Sequence, residues 1–276
     1  MASAAISYLF VPASRPERYA KALAAGADGV IVDLEDAVAA DEKDVSRHHL
    51  VAALEAGLDG SVHVRLNAPG SPWFEEDLEA LAALSTRARR QLAGAVVPKA
   101  EDPEALRRVR EVLGDDLELI ALIESAEGVD RLRELSRTAR VTRFAVGAAD
   151  LSFDLDAEIA SATIDHVYAR LVIESRRAGL PGPIASPPFS ITDLDAIEAD
   201  ARRLRGLGVT AQLCIHPAQI AAVHAGFRPS EQQHAWAQRV LASGDGAVQV
   251  DGQMVDKPIR ERAARIIAQA ERARSD

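Results

Sequence analysis

The sequence predicts a (β/α)8 barrel followed by a C-terminal extension, and three observations carry that prediction. Apolar runs of strand length alternate with amphipathic, helix-like stretches from the start of the chain to Gly226. The helix-like stretches open on acidic residues, Ser or Pro and often close on Gly, which are start and stop signals. Several of the apolar runs end in an ionisable side chain, as expected where strand ends build an active rim.

The candidate strands are residues 6–11, 29–34, 62–66, 94–98, 118–123, 143–148, 182–185 and 211–215. PERYAKALAAG lies between the first and second, EEDLEALAALS between the third and fourth, DPEALRRVREVLG between the fourth and fifth, and SITDLDAIEADARRLRGLG between the seventh and eighth. Eight strand–helix units in about 225 residues is the count of a (β/α)8 barrel. The seventh strand is the weakest, because Pro181, Pro183 and the pair Pro187-Pro188 surround it. A doubly wound open sheet competes with the barrel, but no G-x-G-x-x-G follows the first strand to support a dinucleotide fold.

Beyond Gly226 the pattern changes. Pro229-Ser230 opens a helix, EQQHAWAQRVLASG; GAVQVDGQMVD reads as a hairpin turning at Asp251-Gly252; Pro258 starts a last helix running to about Arg272. We therefore divide the chain into a barrel, residues 1–226, and an extension, residues 227–276. So small a unit has too little core to fold alone and is expected to pack on the barrel or on a neighbouring subunit.

Composition narrows the function classes. The 276 residues are 48% hydrophobic, enough for a substantial core. A formal net charge of −10 argues against nucleic-acid binding and against attachment to an anionic membrane, so an anionic substrate needs a local basic pocket. The only cysteine, Cys214, cannot form an intramolecular disulfide and reads as core. There is no secretion-type leader and no run of transmembrane length, so a cytoplasmic location is expected.

The barrel turns strand ends into a list of candidates: Asp33, Glu35 and Asp36 after the second strand, Arg65 and Asn67 after the third, Lys99 after the fourth, Glu124 after the fifth, Asp150 after the sixth and His216 after the eighth. Glu124 and Asp150 are open to two readings. They are helix N-caps, or they are carboxylates converging from consecutive strands on a hard divalent metal such as magnesium. Arg65 can fork onto a carboxylate or a developing oxyanion, or balance Asp33 or Glu35 in a salt bridge. Arg15, Arg18 and Lys21 at the start of the first helix can hold phosphates or simply face solvent. His216 is structural or catalytic, and Asp256 reads as an N-cap ahead of Pro258.

The segments LFVPASRPERYAKALAAGADGVIVDLEDAV, VRLNAPG, VVPKAE, ALIESAEG, FAVGAADL, CIHPAQI and GQMVDKP follow one another in this chain. Through them it resembles the citrate lyase beta subunit and its relatives, the malyl-CoA and citramalyl-CoA lyases, over essentially its whole length. The resemblance implies a (β/α)8 barrel in a homotrimer or hexamer, with magnesium, for which manganese can substitute, on Glu124 and Asp150. It implies that Arg65 binds substrate, that Phe10, Arg15 and Lys21 contact a CoA thioester, and that Ile215 and His216 line the same pocket. It also implies that Asp256 reaches an adjacent subunit's site and takes part in proton transfer, making the extension a lid. The activity expected is retro-Claisen cleavage of a 3-hydroxy-3-carboxyacyl-CoA to acetyl-CoA and a 2-oxo acid, with Glu35 a candidate for the base. The alternatives are a malyl-CoA thioesterase, or a citrate lyase beta subunit that needs alpha and gamma partner subunits. Two positions depart from the family pattern: Ala13 stands where many members have Gly, and Ala149 where many have Glu.

Overall fold

In the computed structural model, which describes residues 5–138, 140–244 and 248–275, eight parallel strands close into a barrel in chain order. They are β1 (Ser7–Pro12), β2 (Gly29–Asp33), β3 (Val62–Arg65), β4 (Leu92–Val97), β5 (Glu118–Ile123), β6 (Arg143–Val146), β7 (Ile184–Ala185) and β8 (Ala211–Cys214), with β8 pairing back onto β1. The near-continuous apolar runs are what a strand covered on both faces requires. In β5, Ile120 and Leu122 point into the barrel with Tyr8, Ile31, Val96 and Leu213, while Leu119, Ala121 and Ile123 face the surrounding helices.

The expected seventh strand, 182–185, shrinks to Ile184–Ala185. Prolines on either side leave few N–H groups for a ladder. Buried Arg143 bridges the gap: Nε donates to Gly182 O at 3.0 Å, Nη1 to Ala5 O at 2.9 Å and to the Tyr8 hydroxyl at 3.2 Å, and Nη2 to Thr210 Oγ1 at 2.8 Å. One side chain thus ties β6 to the chain before β1, β7 and β8. The sixth strand stops at Val146 rather than residue 148, because Ala148 already begins a helix, Ala148–Asp154.

The helix signals act as the sequence indicates. Asp102 caps Pro103–Leu113 through the Glu104 N–H, and Asp193 caps Leu194–Leu207 through the Ala196 N–H. Ser230 and Gln233 form a capping box on Glu231–Ala242. β9 (Val248–Val250) and β10 (Gln253–Val255) pair antiparallel through Asp251 and Gly252, at φ 52° and 79°, the two positive φ angles a two-residue hairpin turn needs. A last helix spans Lys257–Ser275. These pieces share a cluster of Ala237, Val240, Val255, Ala263 and Ile266, separate from the barrel core. Arg205 of the barrel reaches them, with Nη1 donating to Gln233 Oε1 at 3.1 Å and Nη2 to Gln269 Oε1 at 3.0 Å. Among the described residues, no helix is long and apolar enough to cross a membrane.

Candidate active site

Strand register sets the rim. Asp33 pairs with Arg65 at the ends of β2 and β3, and Ile123 pairs with Val146, which places Glu124 level with Gly147 one residue on. Asp33 is 1% exposed, and its carboxylate takes a two-pronged bond from Arg65: Nε to Oδ1 at 2.7 Å and Nη2 to Oδ2 at 2.6 Å. The same carboxylate accepts the N–H groups of Glu35 and Ala37, curling the loop after β2 over the barrel mouth. The guanidinium also lies over the Phe10 ring, 4.8 Å from its centroid. The salt-bridge reading of Arg65 with Asp33 therefore holds.

Arg65 Nη1 approaches Glu35 Oε2 to 3.0 Å and donates to Asp36 Oδ2 at 3.3 Å. The Glu35 contact is not aligned as a hydrogen bond, so this buried oxygen keeps its accepting capacity. Burial pushes the Glu35 carboxyl up to about 8; Arg65 opposes the shift, and the charges of Asp36, Glu124 and Asp33 add to it. Burial works against the Arg65 charge, but hydrogen-bonded Asp33 and nearby Glu35 and Asp36 outweigh it, so its proton is held more tightly than usual.

Glu124 is not a helix cap. Ser125 caps Ala126–Asp130 through the Gly128 N–H, whereas Glu124 Oε1 accepts the Lys99 N–H at 2.7 Å. Lys99 sits at φ 46°, a left-handed turn that aims its N–H at that oxygen. Gly147 leaves room for the carboxylate: a Cβ there would lie 2.5 Å from Glu124 Oε2. Burial pushes Glu124 up to about 7, with the neighbouring Asp150 charge adding to the rise. Asp150 is exposed in the first turn of Ala148–Asp154, a helix whose cap position, Gly147, has no side chain. Among the described residues, no group of three or more His, Cys, Asp or Glu side chains is arranged to hold a metal ion. A hard cation here would take two carboxylates and fill its other positions with water or ligand oxygens. The donor set fits, because a cation between Glu124 and Asp150 offsets the burial of the Glu124 charge and the repulsion that Asp150 adds to it.

Other candidates stand apart from this cluster. Arg15 is exposed and bonded to Glu17, and Lys21 is exposed on the first helix. Ile215 and His216 are exposed at the end of β8, where their N–H groups are both accepted by buried Gln219, and the His216 ring accepts the Ala218 N–H. Asp256 is exposed in the extension and caps the last helix, its Oδ1 accepting the Ile259 N–H at 3.2 Å. Cys214 is buried, and burial pushes its thiol up to about 12.

Sequence reasoning missed Lys43, Arg47, Asp77, Ser186 and Gln219, all of which hold rim loops. Ser186 Oγ donates to Val146 O at 2.7 Å and accepts the Ala148 N–H, fixing the turn before Asp150. A signal for two of them was present: Lys43 and Arg47 recur with Leu50 and Leu54 at helical spacing, which puts two cations on a helix's buried face.

Known proteins resemble this chain in sequence and in fold. The family model described as HpcH/HpaI aldolase/citrate lyase matches residues 7–217. A citrate lyase subunit beta-like protein of Mycobacterium tuberculosis is 36% identical over 98% of this chain and 97% of its own. One of the same description from Deinococcus radiodurans is 33% identical over 95% and 96%. The solved structure of CitE from Mycobacterium tuberculosis in complex with magnesium, acetoacetate and coenzyme A superposes with a TM-score of 0.83 at 33% identity, covering 97% of this chain and 99% of that one.

Proposed function

The chain belongs to the HpcH/HpaI aldolase/citrate lyase family, and from that premise we propose that it is a magnesium-dependent CoA-ester lyase. The reaction is retro-Claisen cleavage of a 3-hydroxy-3-carboxyacyl-CoA of the malyl or citramalyl type, giving acetyl-CoA and a 2-oxo acid. The observation that carries this reading is the rim arrangement: a buried Glu124 within electrostatic reach of both Asp150 and Glu35, with Arg65 locked beside Glu35. The complex of CitE with magnesium, acetoacetate and coenzyme A supports the choice of metal and thioester.

Bound by Glu124 and Asp150, magnesium would polarise the substrate's hydroxyl and carboxylate oxygens. Glu35 serves as the base. A carboxylate titrating near 8 is matched to accepting a hydroxyl proton near neutral pH. As that proton leaves, the bond between the hydroxyl-bearing carbon and the thioester's α-carbon breaks, and the electron pair passes into the thioester as an enolate. Arg65, preorganised by Asp33, holds the oxygens of the departing 2-oxo acid. Protonation of the enolate carbon then gives acetyl-CoA. We assign that proton to Asp256 of a neighbouring copy, with residues 227–276 acting as a lid over the adjacent barrel. Its exposure on a unit tied to its own barrel through Arg205 supports this reading. Phe10, Arg15, Lys21, Ile215 and His216 are assigned to the CoA arm, since they line the β1 and β8 ends of the mouth or the first helix beside it.

The test is a panel of malyl-CoA, citramalyl-CoA and citryl-CoA, incubated with magnesium or with chelator, with products identified by mass. Magnesium-dependent release of acetyl-CoA and the matching 2-oxo acid from at least one ester is expected. Free CoA and an intact hydroxy acid would instead indicate a thioesterase. No turnover of any ester, or turnover indifferent to chelator, would overturn the proposal.

A further inference from the structure

The helix Lys43–Ala56 begins with a cation where a core-facing residue belongs. Lys43 is 6% exposed, and its Nζ donates to Leu34 O and to Glu35 O, each at 2.7 Å. The same ammonium stands 5.2 Å from the centroid of the Trp73 ring. Two successive carbonyls can point at one donor only if the chain turns sharply, and that turn swings the Glu35 side chain back over the barrel toward Arg65. Backbone pairing continues through it, with the Leu34 N–H donating to Arg65 O at 3.0 Å.

One helical turn on, Arg47 grips the next loop. Its Nε donates to Asp77 Oδ1 at 2.8 Å, and Asp77 Oδ2 accepts both the N–H and the side-chain amide of Asn67, each at 2.8 Å. Asn67 follows Arg65 by two residues, and Asp77 is 1% exposed. A single helix face therefore anchors the loop bearing Glu35 and the loop that leaves β3 just after Arg65 through separate, buried, charge-assisted bonds.

We propose that Lys43 and the Arg47–Asp77–Asn67 chain are positioning residues that set the Glu35 carboxylate against the Arg65 guanidinium. None of them touches the reacting atoms. They fix two main-chain segments whose free movement would leave Glu35 and Arg65 present but misplaced, and misplacement by about 1 Å can cost on the order of 100-fold in rate. This inference rests on the lyase reading for its kinetic arm only.

The test uses the full chain carrying Lys43→Met, Lys43→Arg and Asp77→Asn. Amide exchange is followed without ligand, and kcat and KM are measured separately on whichever thioester the wild type cleaves. In Lys43→Met, exchange across residues 34–38 should quicken about 10-fold while β4 to β6 stay protected. Its kcat should fall roughly 100-fold with KM within about 3-fold, and Lys43→Arg, which keeps a cationic donor, should recover most of that loss. Asp77→Asn leaves one acceptor oxygen where Arg47 and Asn67 use two, so the chain is broken at one of its links, exchange at residues 66–68 should quicken and kcat should fall in the same way. A folded Lys43→Met with unchanged exchange at 34–38, or with losses confined to KM, would overturn the proposal. If Lys43→Met does not fold, unchanged exchange and kcat in Asp77→Asn overturn it. If the wild type cleaves no thioester, the lyase reading fails and the exchange arm still decides this one.

Discussion

Arg65 and Asp33 are register partners at the ends of adjacent strands, and their side chains close a two-pronged ion pair with bonds of 2.7 and 2.6 Å. The guanidinium is thereby held rigid in a place where Glu35, Asp36 and the Phe10 ring also converge on it. One ion pair thus fixes both the charge balance and the geometry of the rim.

Asp33→Ala should destabilise the protein by about 3–5 kcal/mol, because it leaves a buried guanidinium without its main counter-charge. Asp33→Asn keeps the shape and should cost less, while still loosening Arg65. Urea midpoints of the two variants check this, and an Ala variant as stable as wild type would remove the pair from the folding account.

Glu35 and Glu124 titrate near 8 and near 7 in the folded chain, against ordinary carboxylate values near 4.5. The folded state therefore holds these two protons more tightly than the unfolded chain does. Their contribution to stability is fully present below about pH 4.5 and is lost as pH rises towards 8, by an amount on the order of a few kcal/mol. Denaturant unfolding of chelator-treated protein between pH 5 and 8 should show that decline in wild type. The Glu35→Gln and Glu124→Gln variants should flatten it. A double variant with the wild-type slope would contradict the assignment.

Gly147→Ala is expected to act on Glu124 alone. The Gly147 backbone, at φ −96°, accepts an L side chain, but the new Cβ would collide with the carboxylate. Magnesium affinity of the folded variant, read by calorimetry, should fall roughly 10–100-fold. Unchanged affinity would show that Glu124 does not hold the metal.

The assignment of Asp256 to a neighbour's site is checked by complementation. Asp256→Ala and Asp150→Ala chains, each inactive alone, should regain part of the activity when unfolded together and refolded as a mixture. Mixed assemblies that stay as inactive as their parents would confine each site to one chain.

Much of this protein is determined locally. Strand-length apolar runs, Asp102, Asp193 and Ser230 as caps, and Asp251-Gly252 as a hairpin turn all act through neighbours a few residues away, so one-dimensional spacing suffices to find them. Alternation of such units also implies a barrel, and a barrel assembles the ionisable strand ends at one rim. Only the tertiary structure decided that Arg65 forks onto Asp33 rather than Glu35, that Glu124 accepts the Lys99 N–H instead of capping a helix, and that Lys43 and Arg47 take the Leu34 and Glu35 carbonyls and Asp77 as partners. Those outcomes depend on register between strands and on the desolvation of charges brought together from distant parts of the chain. Neither is a property of any local window. The two acid-tipped strands were legible as a pair, whereas for the lysine and arginine beside them the sequence shows only a helical spacing with Leu50 and Leu54, and which loops they hold became visible only once that helix face was seen packed against the barrel mouth.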